Sequence, residues 1–370
     1  MNKNKAINTL FENAVSLLKE LIRVPSLSRQ EDKTAGLIEQ FLLQNGVVVY
    51  RSLNNVWASN KYFEPLKPTV LLNSHHDTVA PNSQFTRDPH EPMIEDGKLF
   101  GLGSTDAGGA LVSLLAAFIY FHDSTELGYN IIFAATAEEE ISGENGIASL
   151  FNSEIFKKGF ENPNSFAIVG EPTRLDLAIA EKGLVVLDCI AYGKPGHAAR
   201  NEGENAIYKA MTAIQWFRDY RFPLTSALLG EVKMSVTAIS TPNKSHNIIP
   251  AECSFVVDVR VTDSYSNEEI IEIITKNIQL DVVPRSVRLR SPLMDPAHPV
   301  VQAGVRAGKN IFGSPTTSDK ALIPLTTLKC GPGSSEQSHS ADEFILIKDI
   351  EEGIRFYIEL IGEVNREMQG

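Results

Sequence analysis

The sequence has 370 residues, of which 43% are hydrophobic, and this length favours two domains with a sizeable buried core. Its 34 Lys and Arg residues against 46 Asp and Glu residues give a net charge of −12, which repels phosphate backbones and anionic lipid surfaces. This composition argues against a disordered chain and against nucleic acid or a membrane as partner.

The first segment, residues 5–23, carries charged residues among apolar ones at helical spacing. It therefore predicts a surface helix and not a signal peptide, which needs an uninterrupted apolar core. The longest apolar run, residues 110–121, is shorter than the roughly 20 residues that cross a bilayer. The three cysteines, Cys189, Cys253 and Cys330, are far apart and odd in number, which favours a reducing compartment. We expect a cytoplasmic protein without a membrane span.

Through the first half of the chain, short apolar runs typical of strands alternate with a helical pattern. The predicted strands are residues 70–72, 131–135 and 166–169, and the predicted helix is residues 107–121. This alternation predicts an α/β layer built on a mostly parallel sheet.

From about residue 178 the pattern changes to the βαββαβ order of a ferredoxin-like module. Its predicted elements are strand 184–191, helix 205–220, strands 231–240 and 254–261, helix 267–276 and strand 286–289. An apolar run at 322–328 and a helix at 347–364 then return to the α/β pattern. The sequence thus predicts a catalytic domain formed by residues 1–177 and 291–370, with residues 178–290 inserted as a dimerisation or lid domain.

Polar residues follow the predicted strands at the edge where open α/β sheets hold their catalytic groups. They are His75, His76, Asp77, Asp106, Glu138, Glu139, Glu140, Glu171 and His339. Several carboxylates and imidazoles that converge at one edge repel one another without a cation, and zinc accepts such nitrogen and oxygen ligands.

Each of these residues also has an ordinary explanation when it is taken alone. A single histidine is usually a surface or core group, and a run of three glutamates is usually a solvated face. Asp106 has the position of a helix N-cap or turn residue. The loops 101–103 and 331–333 lack the third glycine of a dinucleotide site, and no GxSxG motif is present. Nucleotide binding and serine hydrolysis are therefore disfavoured, and the shared placement favours metal chemistry.

The motifs resemble those of the M20 zinc peptidases and deacylases, a family that includes acetylornithine deacetylase, succinyl-diaminopimelate desuccinylase and aminoacylase. The resemblance covers nearly the whole chain and rests on five blocks in the family's order. They are SHHDTV at 74–79, GLGSTD at 101–106, TAEEE at 136–140, GEPT at 170–173 and SHSADE at 338–343.

The resemblance implies five metal ligands. His75 is a ligand of one metal, Asp106 bridges the two metals, and Glu140 and Glu171 bind opposite metals. His339 completes the second site. The cofactor implied is a pair of Zn²⁺ ions, for which Co²⁺ or Mn²⁺ can substitute because nitrogen and oxygen ligands discriminate poorly among such ions.

The same blocks imply two further catalytic residues. Asp77 resembles the carboxylate that orients the imidazole of His75, and Glu139 is left free to act as the general base. Glu138 stands where many family members have Asp, and this run of three glutamates leaves a shift of one residue open between Glu139 and Glu140.

The inserted module carries the other residues that the resemblance implies. His197, in a Gly-rich loop, matches the histidine that stabilises the oxyanion, and Arg260 and Asn247 match positions that hold the substrate. For Arg260 the alternative is an ion pair with Asp258 on the strand face, and for Asn247 it is a turn. Lys182 either reaches the carboxylate of an N-succinyl group or is a solvated lysine.

The resemblance implies an amidohydrolase that removes an acyl group from a small N-acyl amino acid. We expect an enzyme of the acetylornithine deacetylase type, acting on acylated ornithine or citrulline in arginine biosynthesis. The alternatives are a succinyl-diaminopimelate desuccinylase of lysine biosynthesis, a di- or tripeptidase, and, more distantly, a catalytically silent metal-binding module. The expected assembly is a homodimer formed through the inserted domain, with His197 acting in the partner's active site.

Overall fold

The computed structural model describes residues 3–200 and 202–369, and the chain divides into two compact units. The larger unit comprises the described residues up to Ile179, Met294–Phe312 and the described residues from Ser318 onward. The smaller unit comprises Ala180–Leu293 and Gly313–Thr317. It begins at Ala180 instead of residue 178 and ends at Leu293 instead of residue 290, and the short segment Gly313–Thr317 was not foreseen.

The helices within the described residues range from one turn to more than five. They are α1 Lys3–Ile22, α2 Asp32–Gln44, α3 Gly109–Phe121, α4 Ile147–Phe151, α5 Glu154–Lys157, α6 Ala206–Asp219, α7 Asn267–Asn277, α8 Pro299–Arg306 and α9 Ile347–Gln369. Short 3₁₀ turns lie at Glu139–Ile141, Lys158–Phe160 and Asp319–Ala321.

The strands form one large sheet and three small ones. They are β1 Tyr50–Ser52, β2 Asn55–Ser59, β3 Thr69–His75, β4 Met93–Glu95, β5 Lys98–Phe100, β6 Asn130–Thr136, β7 Phe166–Val169, β8 Leu177–Glu181, β9 Gly183–Tyr192, β10 Gly196–His197, β11 Lys233–Ser240, β12 Ile248–Ile249, β13 Glu252–Val261, β14 Asp281–Pro284, β15 Ile311–Ser314, β16 Thr326–Lys329 and β17 Phe344–Leu346.

The large sheet has eight strands in the order β1-β2-β6-β3-β7-β16-β8-β15. Its four central strands, β6, β3, β7 and β16, run parallel to one another, whereas β2 pairs with β6 and β8 pairs with β16 in antiparallel fashion. Every residue of β3, β6 and β7 is buried, as continuous apolar runs in a parallel sheet predict. The predicted mostly parallel α/β layer is thus confirmed.

Helix α3 is the buried centre of the larger unit. It contacts β3 and β6 of the sheet as well as α1 and α9, so an apolar surface all round the helix is required. The predicted helix 107–121 begins only at Gly109, because Asp106 (φ −110°, ψ 94°) and Ala107 (φ −118°, ψ 29°) have non-helical backbone angles. Among the described residues, Ser104–Phe121 is the one stretch long and apolar enough to cross a membrane, and 78% of it is buried within the fold.

The smaller unit has the predicted ferredoxin-like arrangement. Its four-stranded antiparallel sheet has the order β11-β13-β9-β14, and α6 and α7 connect the strands in the βαββαβ sequence. Burial alternates along β9 and β13, and the buried side chains form a core with residues of both helices. The other face of this sheet is half-exposed and carries charged residues such as Asp188, Asp258 and Arg260 among apolar ones such as Val186 and Val256.

The last strand of this unit differs from the prediction. The prediction of a strand at 286–289 is wrong, because the structure forms β14 at Asp281–Pro284, paired with β9. The side-chain amide of Asn267 donates to the main-chain carbonyls of Val287 (2.9 Å) and Leu289 (3.0 Å). Leu289 also makes a single antiparallel bridge to β9, where its carbonyl accepts from Leu184 N at 3.1 Å, but this contact does not extend into a strand. The alternation of apolar residues alone could not reveal these bonds.

Candidate metal centre

The carboxyl ends of the four parallel strands meet at one edge of the sheet, and the predicted ligands lie there. His75 is the last residue of β3, and Glu139 and Glu140 begin the turn that follows β6. Glu171 lies two residues beyond β7, and His339 lies in the segment that follows β16. Parallel pairing therefore gathers residues that are far apart in the sequence.

Asp106 reaches this edge from the loop before α3, and Glu343 holds that loop in place. The carboxylate of Glu343 accepts hydrogen bonds from the backbone N–H groups of Gly103 (2.9 Å), Thr105 (2.8 Å) and Asp106 (3.0 Å). Glu343 belongs to the last of the five motifs, but the motif alone indicates no role for it. The available signal was an acidic residue placed directly before the apolar β17, where a charged group is buried only if it is hydrogen-bonded.

Two groups of side chains converge closely enough to hold a metal ion each. In each group the potential ligand atoms all lie within 4.8 Å of one another. The first group is His75, Asp106 and Glu171, and the second is Asp106, Glu140 and His339.

Asp106 is common to both groups and uses a different oxygen toward each histidine. Its Oδ1 lies 3.2 Å from His75 Nε2, and its Oδ2 lies 3.6 Å from His339 Nε2 and accepts a hydrogen bond from Ser338 Oγ. Glu171 Oε1 is 3.8 Å from His75 Nε2, and Glu140 Oε2 is 3.0 Å from His339 Nε2. Such a shared carboxylate is the arrangement that a bridged metal pair requires.

The chemistry of these donors fits divalent cations. Burial raises the pKa of Glu171 to about 8, so its ionised form needs a nearby positive charge. Burial, the largest single influence, disfavours the charged form of Asp106 too, but the hydrogen bonds with His75 and Ser338 and the charges of His75 and His339 together lower its pKa to about 2. The hydrogen bond to Glu140 raises the pKa of His339 to about 9. Without a metal ion, protonated imidazoles provide the positive charge that stabilises the ionised carboxylates. A bound divalent ion would provide that charge instead.

Asp77 supports the site in two ways. His75 Nδ1 lies 3.0 Å from the main-chain oxygen of Asp77 and 3.5 Å from its Oδ1, which orients the imidazole. The same carboxylate accepts hydrogen bonds from the backbone N–H groups of Glu139 (3.1 Å) and Glu140 (3.2 Å) and from Ser28 Oγ (2.7 Å). Asp77 therefore also fixes the turn that carries both glutamates, which the sequence did not show.

The three consecutive glutamates have three different environments. Glu140 belongs to the second ligand group, whereas Glu139 belongs to neither group and lies with Oε2 3.9 Å from His75 Nε2. Burial and the neighbouring carboxylates raise the pKa of Glu139 well above its ordinary value. Glu138 points away from the ligands, because its carboxylate accepts hydrogen bonds from the side chain (2.9 Å) and backbone (3.3 Å) of Asn145.

His76 does not join the site, although it neighbours His75. Its Nδ1 lies 2.9 Å from Thr34 Oγ1 and its Nε2 lies 2.9 Å from the carbonyl oxygen of Asn54. Burial lowers the pKa of His76 to about 4, so the ring is neutral and structural.

The candidate residues of the smaller unit fall into two places. His197 and Asn247 lie on adjoining exposed segments, where β10 pairs with β12 and Ala198 N donates to the main-chain oxygen of Asn247 (2.9 Å). His197 Nδ1 accepts a hydrogen bond from Ala199 N (3.1 Å), so in the neutral ring the proton is on Nε2. That tautomer presents an N–H donor toward solvent.

Arg260 lies on the half-exposed face of β13, and Lys182 lies between β8 and β9. Arg260 makes a two-pronged ion pair with Asp258, at 2.8 Å and 3.0 Å, which was the alternative explanation for this residue. The description of Lys182 as a solvated lysine is wrong, because the residue is buried and its Nζ donates to the main-chain oxygen of Glu231 at 3.0 Å. Burial and the positive charges of Lys233 and Arg260 lower the pKa of Lys182.

Comparison with known proteins agrees with this geometry. The sequence profile of peptidase family M20/M25/M40 matches residues 71–363. A succinyl-diaminopimelate desuccinylase from Wolbachia pipientis is 25% identical, over 94% of this chain and 92% of that protein. Two solved structures share the fold. The M20 family metallo-carboxypeptidase Sso-CP2 from Sulfolobus solfataricus matches with a TM-score of 0.74, 17% identity and 95% and 99% coverage of the two chains. A dinuclear metal-binding M20 peptidase from Bacillus subtilis matches with a TM-score of 0.72, 16% identity and 97% and 99% coverage.

The profile spans most of the chain, including β3, which ends at His75, and the segments after β6 and β7 that carry Glu140 and Glu171. The resemblance noted from the five motifs is thereby confirmed. This chain belongs to peptidase family M20/M25/M40, and it is a metal-dependent hydrolase of amide bonds.

Proposed function

We propose that the chain binds two Zn²⁺ ions and hydrolyses the amide bond of a small N-acyl amino acid. The observation that carries this proposal is the pair of ligand groups that share Asp106. His75 and Glu171 would complete one ion's ligands, and Glu140 and His339 would complete those of the other. The B. subtilis protein of the same fold, described as a dinuclear metal-binding peptidase, supports the count of two.

The proposed mechanism assigns a proton path to Glu139. Divalent ions held by the two ligand groups would polarise the amide carbonyl and lower the pKa of a water molecule to about 7. Glu139 would take a proton from the attacking water as the oxygen forms its bond to the carbonyl carbon, and would then pass the proton to the nitrogen as the C–N bond breaks. Its position beside His75, but outside both ligand groups, supports this role. The Nε2–H of His197 is the donor that we assign to the oxyanion.

For the substrate, we favour an N-succinyl amino acid over an N-acetyl one. The Wolbachia relative acts on succinyl-diaminopimelate by its name, which points to lysine rather than arginine biosynthesis. Lys182 and Lys233 lie near the Arg260–Asp258 ion pair and add positive charge that this pair does not neutralise, which suits a substrate with several carboxylates. Asn247 is proposed as a further substrate contact. Action on acylated ornithine or citrulline, and the di- or tripeptidase alternative, stay open.

We further propose that the enzyme is a homodimer formed through the smaller unit, with His197 completing the partner's active site. Strand β11 is at the edge of its sheet, and most of its residues are exposed, so it can pair with a second copy. A cytoplasmic location stays a prediction. A catalytically silent module would need the ligands but not Glu139, so the presence of Glu139 beside the site favours an enzyme.

The metal proposal predicts that chelation abolishes hydrolysis of N-succinyl amino acids and that added Zn²⁺ restores it. Elemental analysis of the purified protein is expected to find close to two zinc ions per chain, because two ligand groups are present. Full turnover by protein shown to be free of metal would contradict the proposal.

Replacing one carboxylate at a time by an amide distinguishes the general base from the metal ligands. Glu139→Gln is expected to keep both metal ions and lose several orders of magnitude in kcat, because only the proton path is removed. Glu140→Gln and Glu171→Gln are expected to lose metal affinity instead. Elemental analysis and kinetics of the three variants provide the measurement. The opposite pair of results for Glu139 and Glu140 would show that the roles are shifted by one residue.

A panel of substrates with the Lys182→Met variant tests the substrate class. The wild type is expected to turn over succinyl-diaminopimelate faster than acetylornithine, acetylcitrulline or dipeptides. Lys182→Met is expected to raise KM for succinyl substrates more than for acetyl ones, since it removes a positive charge near the proposed carboxylate contact. An equal effect on both acyl groups would reject the role of Lys182, and turnover confined to dipeptides would reject the deacylase proposal.

Mixing two inactive variants tests the action of His197 across the dimer. His197→Ala is expected to lower kcat by about 10²–10³ with metal content unchanged, because one oxyanion donor is lost. Mixed with Glu139→Gln protein under conditions of proven subunit exchange, it is expected to regain partial activity, since some mixed sites hold both intact residues. A fully active monomer, or no recovery despite exchange, would contradict action in the partner's site.

A further inference from the structure

A buried carboxylate that the sequence analysis did not single out joins two strand ends of the candidate metal centre. Asp319 is 2% exposed and begins the 3₁₀ turn Asp319–Ala321. Its Oδ2 accepts hydrogen bonds from Asn73 Nδ2 at 2.9 Å and from Thr136 Oγ1 at 2.7 Å. These partners are 246 and 183 residues away in sequence. The bonds therefore tie a late segment of the chain to the early strands.

The two donors lie on neighbouring parallel strands next to the ligands. Asn73 is on β3, two residues before His75, and Thr136 is the last residue of β6, shortly before Glu139 and Glu140. In the register of the sheet, Thr136 is the direct partner of His75. A single oxygen of Asp319 therefore spans β3 and β6 at the final pairs before the ligand side chains.

The turn that holds Asp319 is anchored from another side. Lys320, which is fully buried, donates from Nζ to the main-chain oxygens of Ala178 (3.1 Å) and Ile179 (2.7 Å) on β8. Because β8 is a strand of the same sheet, these bonds hold the turn, and with it the carboxylate of Asp319, in a fixed position. Asp319 can therefore restrain the ends of β3 and β6.

Asp319 thus completes a set of three supporting carboxylates. Asp77 holds the turn that carries Glu139 and Glu140, and Glu343 holds the loop that carries Asp106. Asp319 holds the strand ends from which His75 and that turn emerge. Burial of a carboxylate is costly unless it is hydrogen-bonded, so its placement here calls for a role.

We propose that Asp319 is a positioning residue, which holds the ends of β3 and β6 so that His75 and Glu140 keep the geometry needed to bind metal. The inference rests on the proposed metal-binding function. It concerns the hydrogen bonds that Asp319 accepts, so the oxygen acceptor matters more than the negative charge.

The test uses metal-free full-length protein and measures Zn²⁺ affinity by calorimetric titration, together with the absorption spectrum of the Co²⁺ form. Asp319→Ala is expected to weaken Zn²⁺ binding by about 10–100-fold, as loss of a residue that orients a metal ligand does, and to alter the Co²⁺ bands. Asp319→Asn keeps an oxygen that can accept both hydrogen bonds and is expected to stay within a few-fold of the wild type.

Two threonine variants extend the test. One removes a hydrogen-bond donor to Asp319, and the other is a matched control on the same sheet. Thr136→Val removes one donor to Asp319 and is expected to weaken Zn²⁺ binding, with Asp319→Ala and Thr136→Val together no weaker than Asp319→Ala alone. Thr69→Val removes a part-buried hydrogen bond to the main-chain oxygen of Gly159 at the other end of β3. It is expected to leave the affinity unchanged while lowering the melting temperature.

The possible outcomes separate this inference from the proposed function. A wild-type protein that binds no Zn²⁺ would reject the proposed function itself. Wild-type binding with equal affinity in Asp319→Ala would overturn the positioning role alone. Equal losses in Asp319→Asn and Asp319→Ala would overturn it as well, in favour of a role for the charge. If Asp319→Ala does not fold, the comparison of Asp319→Asn, Thr136→Val and Thr69→Val still decides.

Discussion

The concentration of negative charge at one edge of the larger unit's sheet is the constraint on which the rest of the site depends. Asp106, Glu140 and Glu171 converge with two imidazoles, and Glu139 lies beside them. Like charges this close repel one another strongly in a buried setting. The fold therefore has to hold each carboxylate in place by hydrogen bonds, and the cluster gains most from divalent cations. This arrangement gives a physical reason for the metal dependence of an enzyme of this family.

Three carboxylates outside the ligand groups provide much of this support. Asp77 and Glu343 accept backbone N–H groups, so they fix the main chain that carries Glu139, Glu140 and Asp106. Asp319 instead accepts from side chains on two neighbouring strands. Supporting groups of this kind restrict the motion of the ligands before any ion binds, and such restriction lowers the cost of binding. The positions of the ligand side chains thus depend on contacts spread over much of the larger unit.

The sequence predicted the fold class and the residues that gather at the sheet edge. Parallel strands place their carboxyl ends together, so the positions of His75, Glu140 and Glu171 followed from the strand pattern and the motifs. The supporting contacts did not follow. Asp319 lies 183 residues from Thr136, and no local pattern announces a hydrogen bond over that separation. The last strand of the smaller unit was predicted at 286–289 instead of 281–284 for a similar reason, because the pairing of residues 281–284 with β9 depends on tertiary structure.

The central claim is that two ions share Asp106, and anomalous X-ray diffraction at the zinc absorption edge tests it most directly. The account predicts two anomalous peaks about 3.5–4 Å apart. One is expected at about 2.0–2.2 Å from His75 and Glu171 and the other at that distance from Glu140 and His339, with Asp106 in contact with both. A single peak in fully loaded protein, or two peaks bound by other residues, would contradict the account.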